Sequence, residues 1–281
     1  MASRSLWQTT RFQIDLAQPR VMGIVNITPD SFSDGGQHAT TVAALRHAAR
    51  LVEEGADILD IGGESTRPGA PHVSLEEEWA RIAAVLEGAL QLGVPVSVDT
   101  HKAEVMRRAL DLGVDIVNDV RALCAPQALE VVAAHRSCGV CLMHMQGNSP
   151  ADMQQSTDYT DVVEQVRDFL KARMDALHQA GIDPERVTLD PGIGFGKAPE
   201  HNLELMRRQP ELLDLGRPLL LGWSRKSTLG HLTGRPVSER LAASLAAGLA
   251  SLQHGAAILR VHDVAETVDA IRVWRAAGLV N

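Results

Sequence analysis

The sequence predicts an α/β fold, a single (β/α)8 barrel (TIM barrel) with long loops after its first two strands. Three observations predict it: short apolar runs alternate with helix-like stretches along all 281 residues, the runs number eight, and no linker or shift in composition divides the chain. Strands that are buried on both faces of a parallel sheet have such continuous apolar sequences. We therefore expect one domain over residues 1–281. An open doubly wound sheet is the alternative, and the barrel is preferred because eight units is the number that closes.

Each predicted strand is a short run rich in Val, Ile or Leu, and the eight runs are 20–25, 56–61, 94–98, 114–117, 139–143, 187–189, 218–222 and 256–260. The clearest stretches with apolar residues at helical spacing are 40–54, 75–91, 102–112, 159–180 and 237–254. A small strand near 11–16 is expected to close the bottom of the barrel. The loops 27–38 and 62–74 are long, rich in Gly and charged, which is typical of loops that close over a site.

Composition and charge exclude several classes of protein. Apolar residues make up 45% and charged residues 22%, so the chain is not of the disordered type. With 27 Lys and Arg against 35 Asp and Glu, the net charge is −8, so we expect no nucleic-acid partner. No apolar stretch approaches the about 18 residues of a membrane span, and the first residues lack the apolar core of a signal peptide. The expected location is therefore the cytoplasm.

The cysteines are interpreted as structural. Cys138 and Cys141 have the C-x-x-C spacing of redox and zinc sites, but they lie in a predicted buried strand and no second such pair exists. Cys124 has no obvious partner, which fits a reducing compartment.

Polar residues follow nearly every predicted strand, and in a barrel those strand ends meet at one rim, where active sites lie. They are Asn26, Asp60, Asp99, Asn118, Asp119, His144, Asp190, the cluster Ser224–Ser227, Arg260 and His262. For Asp60, Asp99, Asn118 and Asp119, a turn or helix-cap role remains open beside a role in a site. His144 alone is interpreted as a packed histidine, and Lys197 as a solvated loop charge.

The predicted rim has an acidic and a basic side. Asp99, Asn118 and Asp190 suit a heterocycle with an amidine edge, because a carboxylate accepts two N–H bonds side by side. The basic groups that follow the last two runs suit a phosphate, as is common in barrels. Asn26 offers a neutral oxygen that could help to hold Mg²⁺ beside a diphosphate.

Eight short motifs, in order over nearly the whole chain, resemble those of the dihydropteroate synthase family of the folate pathway. They are NITPDSFSDGG (26–36), DIGGESTRPGA (60–70), SVDT (97–100), NDVRAL (118–123), MHMQG (143–147), DPGIGFGK (190–197), SRKS (224–227) and RVHDV (260–264). The family often has a Pro and a basic residue after the fifth motif. Here residues 148–152 are Asn-Ser-Pro-Ala-Asp instead, a stretch that is acidic where the family is often basic.

The resemblance implies an enzyme that joins p-aminobenzoate to 6-hydroxymethyl-7,8-dihydropterin diphosphate, giving 7,8-dihydropteroate and pyrophosphate. It implies a pterin site made of Asp99, Asn118, Met143, Asp190, Phe195 and Lys226. It implies a diphosphate site made of Asn26, Arg67, Arg260 and His262, with Mg²⁺ near Asn26. It implies a p-aminobenzoate pocket, open to sulfonamides, made of Phe32, Thr66, Pro68 and Ser227. Asp99, Asp190, Lys226 and Arg260 are the implied catalytic residues, and the family further suggests a homodimer.

Three other functions are compatible with parts of the sequence. A methyltetrahydrofolate-binding domain of a corrinoid methyltransferase shares the barrel and pterin-type carboxylates but needs no diphosphate site. A Schiff-base aldolase would use Lys226, whose pKa Arg225 could lower. A non-catalytic interaction protein is disfavoured by the polar residues that converge on one rim. The Ala- and Leu-rich helix near 241–252 could supply a dimer face, although core packing explains it equally well.

Overall fold

The computed structural model describes residues 6–27, 36–65, 71–147 and 157–279. Within them the strands are β1 (Leu6–Gln8), β2 (Gln13–Asp15), β3 (Arg20–Asn26), β4 (Ile58–Gly62), β5 (Val96–Asp99), β6 (Ile116–Asp119), β7 (Gly139–Met143), β8 (Val187–Asp190), β9 (Leu219–Leu221) and β10 (Ala256–Val261). The α-helices are α1 (Gly36–Glu53), α2 (Leu75–Ala89), α3 (Ala103–Leu112), α4 (Ala128–Ala134), α5 (Val162–Gln179), α6 (Pro199–Arg207), α7 (Ser227–Thr233), α8 (Leu241–Gln253) and α9 (Val264–Ala276).

Strands β3 to β10 form a closed parallel barrel in chain order, in which β10 pairs with β3. This closure confirms the predicted TIM barrel and excludes the open doubly wound sheet. All eight predicted runs are strands of the barrel, with ends shifted by at most two residues. The agreement has a simple cause: both faces of these strands are covered, so their sequences are almost uniformly apolar.

The five clearest predicted helices are present, and the described residues contain four more, α4, α6, α7 and α9, whose bounds were not predicted. Of these, α4 and α7 have only seven residues each, too few to display a clear helical period. The predicted helix at 237–254 in fact begins at Leu241, because residues Val237–Glu239 form a separate 3₁₀ turn.

A hairpin covers the N-terminal end of the barrel, as the predicted strand near 11–16 suggested. Its two strands, β1 and β2, pair antiparallel. Trp7 is fully buried beneath the barrel and donates a hydrogen bond from Nε1 to the carbonyl oxygen of Arg186 at 2.8 Å. Ile14 and Leu16 pack in the same cluster against barrel residues such as Met22 and Ile258. This end is therefore filled with apolar side chains, and the opposite end is left for a site.

The main core lies between the outer faces of the strands and the helices. Cys138 is buried there, and Cys141 is buried in the inner cluster that contains Trp7 and Met22. Both are free, as their interpretation as structural residues required, and Cys124 is free and exposed. No helix in the described part of the chain is both long and apolar enough to cross a membrane.

Candidate active site

The carboxyl ends of the barrel strands bring most of the predicted site residues to one rim. Asp99, at the end of β5, is in register with Asn118 on β6. Met143, at the end of β7, is in register with Asp190 on β8. All four side chains are largely buried.

Arg260 occupies the centre of this rim. Its Nε donates to Asp60 Oδ2 at 2.6 Å, and its Nη2 donates to Asp99 Oδ2 at 2.7 Å. Asn118 Nδ2 donates to the same oxygen of Asp60 at 3.1 Å. The predicted separation into an acidic and a basic side is therefore wrong at Arg260, because a buried carboxylate requires a cation close by and the guanidinium supplies it between two of them.

Burial shifts the pKa values of the ionisable groups at the rim. The pKa of Asp99 is raised to about 7, mainly by burial; the positive charge of Arg260 opposes the increase and the negative charge of Asp60 adds to it. Burial also raises the pKa of Asp190. It lowers the pKa of Lys226 to about 8, which the charge of Asp190 counteracts. Groups with such shifts, gathered at one end of a barrel, are typical of a functional site.

The turn after β8 forms one wall of the rim. Gly192 and Gly194 have positive φ angles of 71° and 81°, and Asp190 Oδ1 accepts the N–H of Gly192 at 2.7 Å. The turn places the ring of Phe195 4.1 Å from Lys226 Nζ, a cation–π contact. Phe195 also packs on an apolar cluster that contains Met143. The two apolar residues predicted to contact a pterin thus lie together.

Lys197 is not the solvated loop charge that its sequence suggested. Its side chain is buried, and Nζ lies 2.9 Å from His144 Nδ1 and 3.0 Å from the carbonyl oxygen of Gly192. The reason is the glycine-rich turn, whose positive φ angles fold the chain back so that Lys197 points inward. His144 is a packed histidine, as predicted, and burial lowers its pKa to about 2.

The SRKS segment divides between the rim and the surface. Ser224 Oγ lies 2.9 Å from His262 Nδ1. This contact joins the segments that follow β9 and β10. Arg225 points outward and forms an ion pair with Asp263, so the two adjacent cations do not share one anion site as the sequence suggested. Ser227 is exposed at the first residue of α7.

Two of the acidic residues left open by the sequence take different roles. Asp119 is a turn residue, because its carboxylate accepts the N–H groups of Arg121 and Leu123, both at 2.8 Å. Asp60 is a site residue that sequence reasoning left unassigned, and it is fully buried against Arg260. The available signal was that Asp60 lies near the carboxyl end of the predicted strand 56–61, which is otherwise apolar except for Asp57 at its start.

A second buried ion cluster lies beside the rim and was not predicted. Lys102 Nζ donates to Glu64 Oε2 and to Glu78 Oε2, both at 2.5 Å. The other oxygen of Glu64 accepts the N–H of Val73 at 3.0 Å. The cluster therefore ties together the two ends of the chain segment between residues 64 and 73.

Some predicted residues fall outside the described part of the chain, namely Phe32, Thr66, Arg67, Pro68 and the unusual segment 148–152. Asn26 is described and ends β3, where it pairs with Gly62. Among the described residues, no group of three or more His, Cys, Asp and Glu side chains is arranged to hold a metal ion.

Comparisons with known proteins agree with this geometry. The pterin binding enzyme family matches residues 22–262. A dihydropteroate synthase of Neisseria meningitidis serogroup B is 54% identical, over 99% of both chains. The structure of Xanthomonas albilineans dihydropteroate synthase with 4-aminobenzoic acid is 52% identical over 96% of both chains, with a TM-score of 0.90. A Yersinia pestis dihydropteroate synthase in a sulfonamide drug complex is 44% identical over 97% of this chain and 99% of that one, with a TM-score of 0.91. The chain therefore belongs to the pterin binding enzymes and, within them, to the dihydropteroate synthases, which are transferases of folate biosynthesis.

Proposed function

We propose that the rim around Arg260 condenses p-aminobenzoate with 6-hydroxymethyl-7,8-dihydropterin diphosphate, and that the whole chain acts as one pterin-binding domain. The observation that supports this most directly is the joining of Arg260 to Asp60 and Asp99, with Asp190 and Lys226 close enough to affect each other's pKa values. A polar heterocycle and a departing anion both find complementary groups there.

The pterin ring is assigned to the deep part of the rim. Asp99 and Asp190 can accept its amidine and ring N–H groups, Asn118 can donate and accept, and Lys226 can donate on another edge. Met143 and Phe195 offer apolar and aromatic surfaces against the faces of the ring. The support is the register of these residues on neighbouring strands and the contact of Phe195 with Lys226.

The diphosphate is assigned to Asn26, Arg67, Arg260 and His262. The amide oxygen of Asn26 fits Mg²⁺, which binds through few protein ligands when phosphates and water supply the rest. We propose that Asn26 helps to hold Mg²⁺ there, and that the ion, when bound, neutralises charge that develops on the leaving diphosphate.

The reaction needs no nucleophile from the protein. The aryl amine forms the new N–C bond at the pterin methylene carbon, the C–O bond to diphosphate breaks with its electron pair, and the amine nitrogen loses a proton. Arg260 and His262 would stabilise the negative charge on the leaving group, and Asp99 and Asp190 the positive charge on the pterin.

p-Aminobenzoate is assigned to a pocket made of Phe32, Thr66, Pro68 and Ser227. The complexes of the Xanthomonas and Yersinia enzymes with 4-aminobenzoic acid and a sulfonamide drug support the substrate, and also competition by sulfonamides.

The deciding assay is pyrophosphate release that requires both the pterin diphosphate and p-aminobenzoate. Asp190→Asn should weaken pterin binding at least about tenfold, because a charge-assisted hydrogen bond is replaced by a neutral one. Pyrophosphate release without p-aminobenzoate, or wild-type pterin affinity in the variant, would contradict the proposal. Trapping of a carbonyl substrate on Lys226 by borohydride would instead support an aldolase.

We further propose a homodimer formed through α7, α8 and α9, which pack side by side. Leu232, Leu241 and Val273, one on each of these helices, expose 53%, 37% and 68% of their surface, and exposed apolar side chains are common at protein interfaces. Leu232→Asp with Val273→Asp should convert a dimer into a monomer in sedimentation experiments, and a parent chain that sediments as a monomer would refute this. The free cysteines support a cytoplasmic location, which cell fractionation can test.

A further inference from the structure

Lys197 is held in a shell of acceptors that matches its ammonium group. Nζ lies 2.9 Å from His144 Nδ1, 3.0 Å from the carbonyl oxygen of Gly192 and 3.1 Å from that of Phe195. The carbonyl oxygen of His144 lies farther away, at 3.4 Å, so four acceptors surround the three N–H donors of an ammonium. The residue is only 3% exposed, and burying a cation is costly unless the surroundings compensate for it.

Two of these acceptors, the carbonyl oxygens of Gly192 and Phe195, belong to the turn that forms one wall of the rim, and His144 follows β7. Gly192, Gly194 and Gly196 have φ angles of 71°, 81° and 64°, a conformation that has no regular hydrogen-bond ladder of its own. A Cβ on Gly192 would lie 1.8 Å from the carbonyl oxygen of His144, so the turn is pressed against the end of β7. By binding the carbonyl groups of Gly192 and Phe195 together, Lys197 fixes the conformation between them.

A second buried side chain, Asn202, fixes the same turn from outside. Its Oδ1 accepts the N–H of Gly194 at 2.8 Å, and its Nδ2 donates to Thr228 Oγ1 at 3.0 Å. Thr228 lies two residues after Lys226, in the first turn of α7. Lys197 and Asn202 together therefore determine where the ring of Phe195 meets Lys226.

The charge of Lys197 also acts on Asp190. Burial raises the pKa of Asp190, and the positive charges of Lys226, Arg260 and Lys197 oppose that increase. Burial lowers the pKa of Lys197 to about 7, and the negative charge of Asp190 opposes that decrease in turn. Without the positive charge of Lys197, the buried negative charge of Asp190 would be less well stabilised.

We propose that Lys197 is a positioning residue for pterin recognition. It fixes the conformation of the turn 192–196, and so the positions from which Phe195 and Asp190 contact the pterin ring. It touches no reacting atom. This inference rests on the proposed assignment of the pterin site.

The test compares Lys197→Met with Lys171→Met, a matched change at an exposed lysine on α5. We expect Lys197→Met to weaken binding of 6-hydroxymethylpterin, measured by calorimetry, at least about tenfold, because small displacements of positioning groups have large effects. KM for the pterin diphosphate should rise similarly, while KM for p-aminobenzoate at saturating pterin stays within about twofold of the parent value. Lys171→Met should change neither.

Asn202→Ala provides a second variant that leaves the charge of Lys197 in place, and it should weaken pterin binding in the same direction. If Lys197→Met lowers the thermal midpoint without a preferential loss of pterin affinity, the role is structural and the inference is wrong. If Asp190→Asn weakens pterin binding while Lys197→Met and Asn202→Ala do not, the inference fails and the proposed site stands. If Asp190→Asn also has no effect, the proposed site is wrong and the inference falls with it.

Discussion

Asp60→Asn tests the arrangement at the centre of the rim. The substitution keeps the shape of the side chain but removes one of the two carboxylates that Arg260 contacts. Because Asp60 is fully buried, solvent does not screen the 2.6 Å contact. Arg260 retains its 2.7 Å bond to Asp99, so its charge is not left wholly uncompensated.

The expected loss of stability follows from these contacts. A hydrogen bond to a charged group contributes about 1.5–3 kcal/mol and an ordinary one about 0.5–1.5 kcal/mol; with the neutral amide the bond keeps only the charge of the guanidinium, so its contribution should move towards the lower range. We therefore expect Asp60→Asn to reduce the free energy of unfolding by about 1–2 kcal/mol, well below the about 3–5 kcal/mol of a completely broken buried pair. The negative charge of Asp60 raises the pKa of Asp99, so the variant should also lower the pKa of Asp99 from about 7.

Urea unfolding at pH 8 measures the first effect, and NMR titration of the Asp99 carboxyl carbon measures the second. Asp175→Asn is the control, since that exposed partner of Lys171 should change stability by less than about 0.5 kcal/mol. An Asp60→Asn chain as stable as its parent, with the Asp99 titration unmoved, would refute the reasoning.

Three further predictions concern other parts of the rim. Gly192→Ala should cost about 3 kcal/mol or more in urea unfolding, because its Cβ would lie 1.8 Å from the carbonyl oxygen of His144 at a φ of 71°. Pterin affinity should fall as the pH falls through about 7, where Asp99 takes up a proton, and calorimetry across that range measures it. The same raised pKa gives the opposite sign for stability, since the folded state binds the proton more tightly than the unfolded chain; the contribution of Asp99 to stability decreases as pH rises between about 4 and 7. Lys102→Met should cost about 3–5 kcal/mol in thermal or urea unfolding, because it leaves the fully buried carboxylate of Glu78 without its cation.

Each of these predictions has a control or an opposing result. Gly216→Ala also has a positive φ, of 74°, but meets nothing within 4 Å, so it should cost only about 1–2 kcal/mol. Asp99→Asn should abolish the decrease of pterin affinity near neutral pH, and a decrease that survives this change would assign it to another group. A Lys102→Met chain of parental stability would mean that the two glutamates are protonated or hydrated without the lysine.

The barrel could be predicted from sequence because burial on both faces leaves the same mark on every strand. Runs such as 139–143 are apolar throughout, and that pattern does not depend on what the strand packs against. Short helices left no such mark: α4 covers only two turns, so apolar and polar residues cannot repeat often enough to show a period.

The sequence could predict which residues lie at the rim, but not which hydrogen bonds they form there. A polar residue that follows a buried strand reaches the rim whatever its neighbours, which is why Asp99 and Asp190 were found. The carboxylate that Arg260 binds is determined by the relative placement of strands that are far apart in the chain. Asp60 was left unassigned for that reason. Lys197 was misjudged because backbone angles in a glycine-rich turn decide whether its side chain points to water or inward.

The hairpin beneath the barrel has a consequence for the order of folding during synthesis. Trp7 leaves the ribosome long before its hydrogen-bond partner, Arg186, which follows 179 positions later. Strand β3 likewise lacks one neighbour until β10 has been made. The nascent chain must therefore keep an apolar segment and an unpaired strand edge apart from other chains until β10 has been made. Slower translation should lengthen that interval, so the yield of native enzyme ought to depend on elongation rate and on chaperones that shield these early segments.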